Sequence, residues 1–274
     1  MKKKDKGAIG EAAQPAGEKP FSLISDKTLS ALYANLLKCL LLGQRGGALQ
    51  RQRGLKSTSS TVRHSSPSIV AVAMDLGPDD SLLSLDHNIA AAFLTGTSLD
   101  ALFHPAYHST SPDVTRRLRE AVGEALVHKT RKDTKVICVV SSESDAEPWL
   151  EALDVARAHG LPMIFVSQDR RADKSRKQST NENADEAYLP HIAVDGQDVV
   201  AVYRVAHESI ARARRGRGPT LIECKAFHVQ GKNKTAQDAV QNMENYLAGK
   251  GLFDRKLRKE ITKNFSAELD AAVL

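Results

Sequence analysis

The sequence predicts an α/β protein with a parallel sheet and helices on both faces, because strand-like and helical segments alternate along its second half. Two apolar runs, Val136 to Val140 and Leu161 to Ser167, flank a helical stretch from Pro148 to His159. A third run, Thr220 to Lys225, follows a helical pattern from Val199 to Arg214. Strands joined by helices of this length pair in parallel through right-handed crossovers.

Length and composition limit the class of protein before any motif is considered. The chain has 274 residues, 41% of them hydrophobic and 26% charged, which is enough for a sizeable core. No run of eighteen apolar residues occurs, so we expect no membrane partner. Cys39, Cys138 and Cys224 are far apart and form no C-x-x-C pair, which predicts a cytoplasmic protein without disulfides or a zinc site.

The amino-terminal part of the chain divides into a tail and a helix. Residues 1–20 carry five lysines and two prolines without the apolar segment of a signal peptide, which predicts a disordered basic tail. Residues 21–274 are expected to form a single domain. Apolar residues recur at helical spacing from Asp26 to Leu42, and we expect Gly43 to end that helix and residues 46–68 to form a polar loop.

Shorter segments complete the predicted order of elements. Three helices, one strand and a mostly helical tail are expected at Pro67 to Leu76, Ile89 to Leu94, Val114 to His128, His191 to Val194, and beyond Lys225. In an open parallel sheet, ligands bind at the carboxyl ends of the strands. The polar segments Ser141 to Asp145 and Ser167 to Arg171 are therefore where any chemistry is expected.

Common catalytic and nucleotide-binding motifs do not occur in the sequence. There is no G-x-S-x-G, G-x-x-x-x-G-K-[ST] or G-x-G-x-x-G. His104 and His108 have the spacing of two metal ligands on a helix, but Pro105 lies between them and no third ligand is evident. We therefore predict no metal site from the motifs.

Five segments, in this order, carry a resemblance to a known family: Leu32 to Leu49, Gly77 to Phe103, WLEALDVARAHGLPMIFVSQD (Trp149 to Asp169), VDGQDVVAVYRVA (Val194 to Ala206) and ARRGRGPTLIE (Ala213 to Glu223). The last three are the most specific. Together the five resemble the alpha subunit of the decarboxylating component of 2-oxo acid dehydrogenase complexes. That family includes the pyruvate, branched-chain and acetoin enzymes.

The resemblance implies a fold, cofactors, an activity and a partner. The fold would be the thiamine-diphosphate-binding type, here partly truncated. The cofactors would be thiamine diphosphate and Mg²⁺, and the reaction the oxidative decarboxylation of a 2-oxo acid with acyl transfer to lipoamide. The expected partner is a beta-type dehydrogenase subunit or a second copy of the chain.

The residues that would hold the cofactor depart from the family pattern. Family members supply Mg²⁺ ligands from a Gly-Asp-Gly after one strand and an Asn-Asn after the next. Here Val140, Ser141 and Ser142 occupy the first place, and Asp169 and Arg170 the second. Serine replaces an anionic ligand, and a guanidinium repels the ion, so we expect thiamine diphosphate and Mg²⁺ not to be bound.

Two alternatives to this loss stay open at the level of sequence. Glu143 and Asp145, with Asp169, would form a rebuilt acidic site, although loop carboxylates are more often solvated than ligating. His87 is the one retained cofactor-binding candidate, because it stands where the family has a diphosphate-contacting histidine, while Leu85 replaces the arginine before it. His87 fits a half-buried loop histidine equally well.

The catalytic residues are not assignable from the sequence. Lys232 stands where the family has an active-site histidine. The family also has a long glycine-rich region that binds the cofactor between the segments matched by Phe103 and Val114, and this chain nearly omits it. A scaffold without its cofactor residues predicts a pseudoenzyme.

Three functional hypotheses follow. The first is an alpha-type dehydrogenase subunit with degenerate or lost cofactor binding. The second is a non-catalytic interaction subunit that pairs through the helices at Leu29 to Leu42 and Val199 to Arg214. The third is a basic module that binds phosphate or nucleic acid through Arg212 to Arg217 and Arg170 to Lys177. A nucleic-acid partner is not favoured, because such charge runs are usually solvated.

Overall fold

The computed structural model contains a sheet of five parallel strands in the spatial order β1-β2-β3-β5-β4. It describes residues 24–52, 67–86, 88–104, 107, 113–142, 147–169, 189–225 and 236–272. The strands are β1 (Ser81–Ser84), β2 (Ile137–Ser141), β3 (Met163–Asp169), β4 (His191–Asp195) and β5 (Thr220–Lys225). The predicted α/β class with a parallel sheet is confirmed.

Eight named helices and one further helical segment, residues 67–73, surround the sheet in the described part of the chain. The named helices are α1 (Asp26–Gln52), α2 (Ile89–Leu94), α3 (Leu99–Phe103), α4 (Val114–Arg131), α5 (Glu147–Ala158), α6 (Val199–Arg214), α7 (Ala236–Gly249) and α8 (Arg255–Ala271). None of the helices within these described residues is long and apolar enough to cross a membrane.

Helix starts follow the capping chemistry of the sequence. Asn88, Ser98, Asp113, Asp198 and Asp254 each accept a hydrogen bond from a backbone N–H in the first turn of the helix that follows. Side-chain oxygens at this position satisfy donors that have no partner inside the helix.

The sheet separates two apolar cores. On one face, α4 and α5 cover β2 and β3, and Trp149 lies edge-on to Phe165 with ring centroids 5.2 Å apart. On the other face, α1, α6, α7 and α8 form the larger core. The hydroxyl of Tyr33 there donates to the buried carboxylate of Glu244, which Arg258 also contacts at 3.0 Å. This arrangement buries both faces of β2 and β3, as a parallel sheet requires.

Three sequence expectations differ from the structure or lie outside it. The sequence pattern does not predict the strand at Ser81–Ser84, because SLLS has only four residues and a serine at each end. Helix α1 continues past Gly43 to Gln52, so residues 46–52 belong to the helix rather than to a loop. The predicted tail, residues 1–20, lies outside the described residues.

The amino ends of the sheet are joined by one buried carboxylate, that of Asp80. It accepts hydrogen bonds from the backbone N–H groups of Gly77 and Val136, at 2.6 and 2.9 Å. The guanidinium of Arg214, at the end of α6, binds both carboxylate oxygens at 2.6 and 3.1 Å and also donates to the carbonyl of Thr134. Asp80 therefore ties the starts of β1 and β2 to the carboxyl end of α6.

We predict that Asp80→Asn lowers the free energy of unfolding by about 2–3 kcal/mol, because it removes a buried charge partner and an acceptor. Urea unfolding followed by the fluorescence of Trp149, the one tryptophan of the chain, measures it. Asp79→Asn is the matched control, since the side chain of Asp79 is 79% exposed. Equal free energies of unfolding for the two variants would contradict the role of Asp80 in joining the strand starts to α6.

Candidate functional site at the carboxyl edge of the sheet

All five strands end at one edge of the sheet, because every strand pairing is parallel. We call this the carboxyl edge. It comprises the strand ends and the residues that directly follow them, namely Ser84–Asp86, Ser141–Ser142, Asp169, Asp195–Gln197 and Lys225. This is the edge at which open parallel sheets bind ligands, so it is the candidate functional site.

The ends of β1 and β2 are linked by Asp86. Its Oδ2 accepts a hydrogen bond of 2.8 Å from the backbone N–H of Ser142. The N–H of Leu85 donates to the carbonyl of Val140 at 2.9 Å, which extends the β1–β2 pairing past the strand end. The backbone amide that follows β2 is therefore already bonded within the protein.

The residues in the place of the family's Gly-Asp-Gly belong to the strand and its core. Val140 is fully buried and packs in the larger core. Ser141 is the last residue of β2, pairs in register with Ser167 of β3, and is 2% exposed. A magnesium ligand at this position would need an anionic oxygen open to the ion, and the strand provides a buried hydroxyl instead.

The middle of the carboxyl edge is closely packed. The side-chain amide of Gln168 donates to the hydroxyl of Ser68 at 2.7 Å, and both residues are buried. A Cβ built on Gly196 would lie 3.1 Å from the Cβ of Cys224, so glycine permits the turn after β4 to approach β5. Burial raises the pKa of the Cys224 thiol to about 12, so this cysteine is not a nucleophile at neutral pH.

Most of the predicted cofactor residues lie outside the described part of the chain. His87 is one of them, although its neighbours Asp86 and Asn88 are described. Arg170, Lys232 and the loop with Glu143 and Asp145 are also outside it. Among the residues that the structure does describe, no three His, Cys, Asp or Glu side chains are grouped to hold a metal ion.

Comparison with known proteins identifies the relatives of this chain. Residues 111–238 match the family model described as dehydrogenase E1 component. The alpha subunit of acetoin:2,6-dichlorophenolindophenol oxidoreductase from Bacillus subtilis (strain 168) is 29% identical over 178 residues, which is 56% of this chain and 53% of that protein. The chain is a distant homologue of the dehydrogenase E1 component family.

Two pyruvate dehydrogenase E1 alpha subunits extend the comparison. The subunit from Porphyra purpurea is 33% identical over 132 residues, 44% of this chain and 38% of that protein. The subunit from Staphylococcus aureus (strain Mu50 / ATCC 700699) is 24% identical over 290 residues, 91% of this chain and 78% of that protein. The chain thus spans about half the length of the Bacillus subtilis relative and less than half of the Porphyra purpurea subunit, and the match that covers most of the chain has the lowest identity of the three.

The basic run at the end of α6 lies away from the carboxyl edge of this E1 homologue. Arg214 binds Asp80 at the amino ends of β1 and β2. Arg212 donates to the carbonyl of Arg217 at 2.9 Å, in the turn that follows the helix. The second run, Arg170 to Lys177, lies outside the described residues. The side chains of Arg212 and Arg214 therefore have contacts within the fold, whereas Arg215 and Arg217 are exposed.

The two helices expected to pair with another subunit bury their apolar residues within the chain. The apolar residues of α1 between Leu29 and Leu42 are buried against α7 and α8, and those of α6 are buried in the same core. In the described residues, the large apolar side chains that are exposed all lie on α4 and α5. They are Leu126, Val127, Leu150 and Val155, which we call the α4–α5 apolar surface.

We predict that Asp86→Ala lowers the free energy of unfolding by about 1 kcal/mol, because the N–H of Ser142 loses a charged acceptor. Asp86→Asn retains an acceptor oxygen, so its stability stays within about 0.5 kcal/mol of the unchanged protein. Urea denaturation of both variants measures the difference. An alanine variant as stable as the asparagine variant would mean that the Asp86–Ser142 bond does not hold the β1 and β2 ends together.

Proposed function

We propose that this chain is an E1 alpha-type subunit that does not bind thiamine diphosphate and Mg²⁺ in the family's manner, and that it serves as a non-catalytic subunit in a complex with a beta-type chain. The observation that carries the proposal is the state of Val140, Ser141 and Ser142. Val140 packs in the larger core, Ser141 is a buried residue at the end of β2, and Ser142 donates its N–H to Asp86.

The cofactor site of the family requires features that these residues do not offer. A diphosphate held through Mg²⁺ needs anionic or carbonyl oxygens around the ion and free backbone N–H groups near the phosphates. One oxygen of the Asp86 carboxylate already accepts the N–H of Ser142. The described residues of the carboxyl edge do not fit the group, and we assign no catalytic step to it.

The partner in this proposal is the class that the resemblance implies. A beta-type subunit would cover the α4–α5 apolar surface, since the apolar faces of α1 and α6 are already buried in the chain. Leu126 and Leu150 are 46% and 45% exposed, so each has apolar area left to bury. The cytoplasmic location that we propose for such a complex is supported by the three free cysteines, all of them buried.

Restoring the family's ligand tests the loss of cofactor binding. Ser141→Asp places a carboxylate at a buried position, so we expect it to lower the free energy of unfolding by about 2 kcal/mol or more. Thiamine diphosphate with Mg²⁺ is expected not to restore the lost stability in a thermal melt. Ser142→Asp, at a half-buried position, is the matched control and is expected to cost less.

Recovery of the melting temperature by the cofactor in Ser141→Asp, or a cofactor-dependent rise in the unchanged chain, would overturn the proposal. In that case His87 is the retained candidate for contacting the diphosphate. His87→Ala would then reduce the cofactor-dependent rise.

Assembly is tested by co-purification with a beta-type chain from the same organism and by light scattering. We expect a heteromeric complex that Leu126→Glu with Leu150→Glu disrupts, because two charges would enter an apolar interface. Lys256→Glu, an exposed change on α8, is the control and is expected to leave the complex intact. A complex that tolerates the double variant would place the interface elsewhere, and no complex at all would contradict the assembly role.

A further inference from the structure

A cavity of about 420 Å³ lies at the outer edge of β1, away from the other strands. Leu82 and Ser84 of β1 form one wall, and Ala91 and Ala92 of α2 form another. Arg117, in the first turns of α4, closes a third side. We call it the β1-edge cavity. Val140, Ser141 and Ser142, which stand in the place of the family's Gly-Asp-Gly, do not line it.

The backbone of β1 turns polar groups toward this cavity. The N–H groups of Ser81 and Leu85 donate to carbonyls of β2, so these residues face the neighbouring strand. Backbone orientation alternates along a strand, so the backbone groups of Leu82 and Ser84 face away from β2. The carbonyl of Ser84 indeed accepts a hydrogen bond from Nη1 of Arg117 at 3.0 Å. The guanidinium is thereby fixed at the wall of the cavity.

The charge of Arg117 is not neutralised within the described part of the chain. No carboxylate there lies within ion-pair distance of it, whereas the preceding residue, Arg116, binds Glu120 at 2.8 Å. Its hydrogen bond to the carbonyl of Ser84 uses a single N–H, and a guanidinium has five. A half-buried cation without a counterion favours an anion in the adjacent space.

Two further observations support a ligand at this place. Ser84 is 8% exposed, and its hydroxyl has no hydrogen-bond partner among the described residues. Buried hydroxyls are normally paired, so the hydroxyl of Ser84 retains an unused capacity for a hydrogen bond. Tyr107 also lines the cavity; burial raises the pKa of its hydroxyl, and the charge of Arg117 opposes that rise.

We propose that the β1-edge cavity binds a small organic carboxylate with an aliphatic body. The guanidinium of Arg117 pairs with the carboxylate, which matches its planar fork. The hydroxyl of Ser84 donates to the same group. The side chains of Leu82, Ala91 and Ala92 contact the aliphatic body. This inference is independent of the role proposed for the carboxyl edge.

The probe for this proposal is 4-methylpentanoate, titrated into the full chain and followed calorimetrically. We expect measurable binding that Arg117→Gln weakens by about tenfold or more, which is about 1.4 kcal/mol. Arg116→Gln makes the same charge change one residue away and is expected to leave the affinity unchanged. Ser84→Ala removes the hydroxyl without changing charge, so it tests the site even if Arg117→Gln is poorly folded, and it is expected to weaken binding.

Two ligand controls separate the contributions of charge and apolar body. The matching alcohol, 4-methylpentan-1-ol, and inorganic phosphate are each expected to have an affinity at least about tenfold lower than that of the carboxylate. Phosphate binding as tight as the carboxylate would overturn the assignment to organic carboxylates. No binding by the unchanged chain, or equal binding by Arg117→Gln and Arg116→Gln, would overturn the site itself.

Discussion

The four parallel strand pairings place the amino ends of all five strands at one edge of the sheet and the carboxyl ends at the other. The amino ends of β1 and β2 hold backbone donors that need acceptors, and the buried carboxylate of Asp80 provides them while Arg214 neutralises its charge. Because Asp80 joins the amino ends of β1 and β2, a strand β1 of only four residues can pair stably with β2. The position of β1 in turn determines where Asp86 and the β1-edge cavity lie.

Several polar groups at the carboxyl edge of this E1 homologue are bonded within the chain. Asp86 takes the backbone N–H that follows β2, and Gln168 binds Ser68 in the interior. Val140 and Ser141 are buried in strand positions where the resemblance implies glycine and a metal ligand. These contacts stabilise the fold, and they occupy the backbone N–H of Ser142 and one carboxylate oxygen of Asp86.

The sequence predicts the parts of the fold in which local signals agree. Helix α6 and strand β5 have the predicted bounds, because Asp198 caps a strongly periodic segment and a buried run follows. Contacts between distant residues are what the sequence does not show. Helix α1 passes three glycines, and Arg45 near its end pairs with Asp270 of α8. The replaced cofactor residues are visible through the resemblance, but the Asp86–Ser142 bond joins residues 56 positions apart and has no local signal.

Calorimetric titration of thiamine diphosphate with Mg²⁺ tests the central claim most directly. It is made on the unchanged chain alone and on its complex with a beta-type chain, because the resemblance implies a cofactor held between the two subunits. The account predicts no binding tighter than about 1 mM in either sample. Micromolar binding in the complex, about −8 kcal/mol, would contradict it and would indicate a subunit that binds the cofactor.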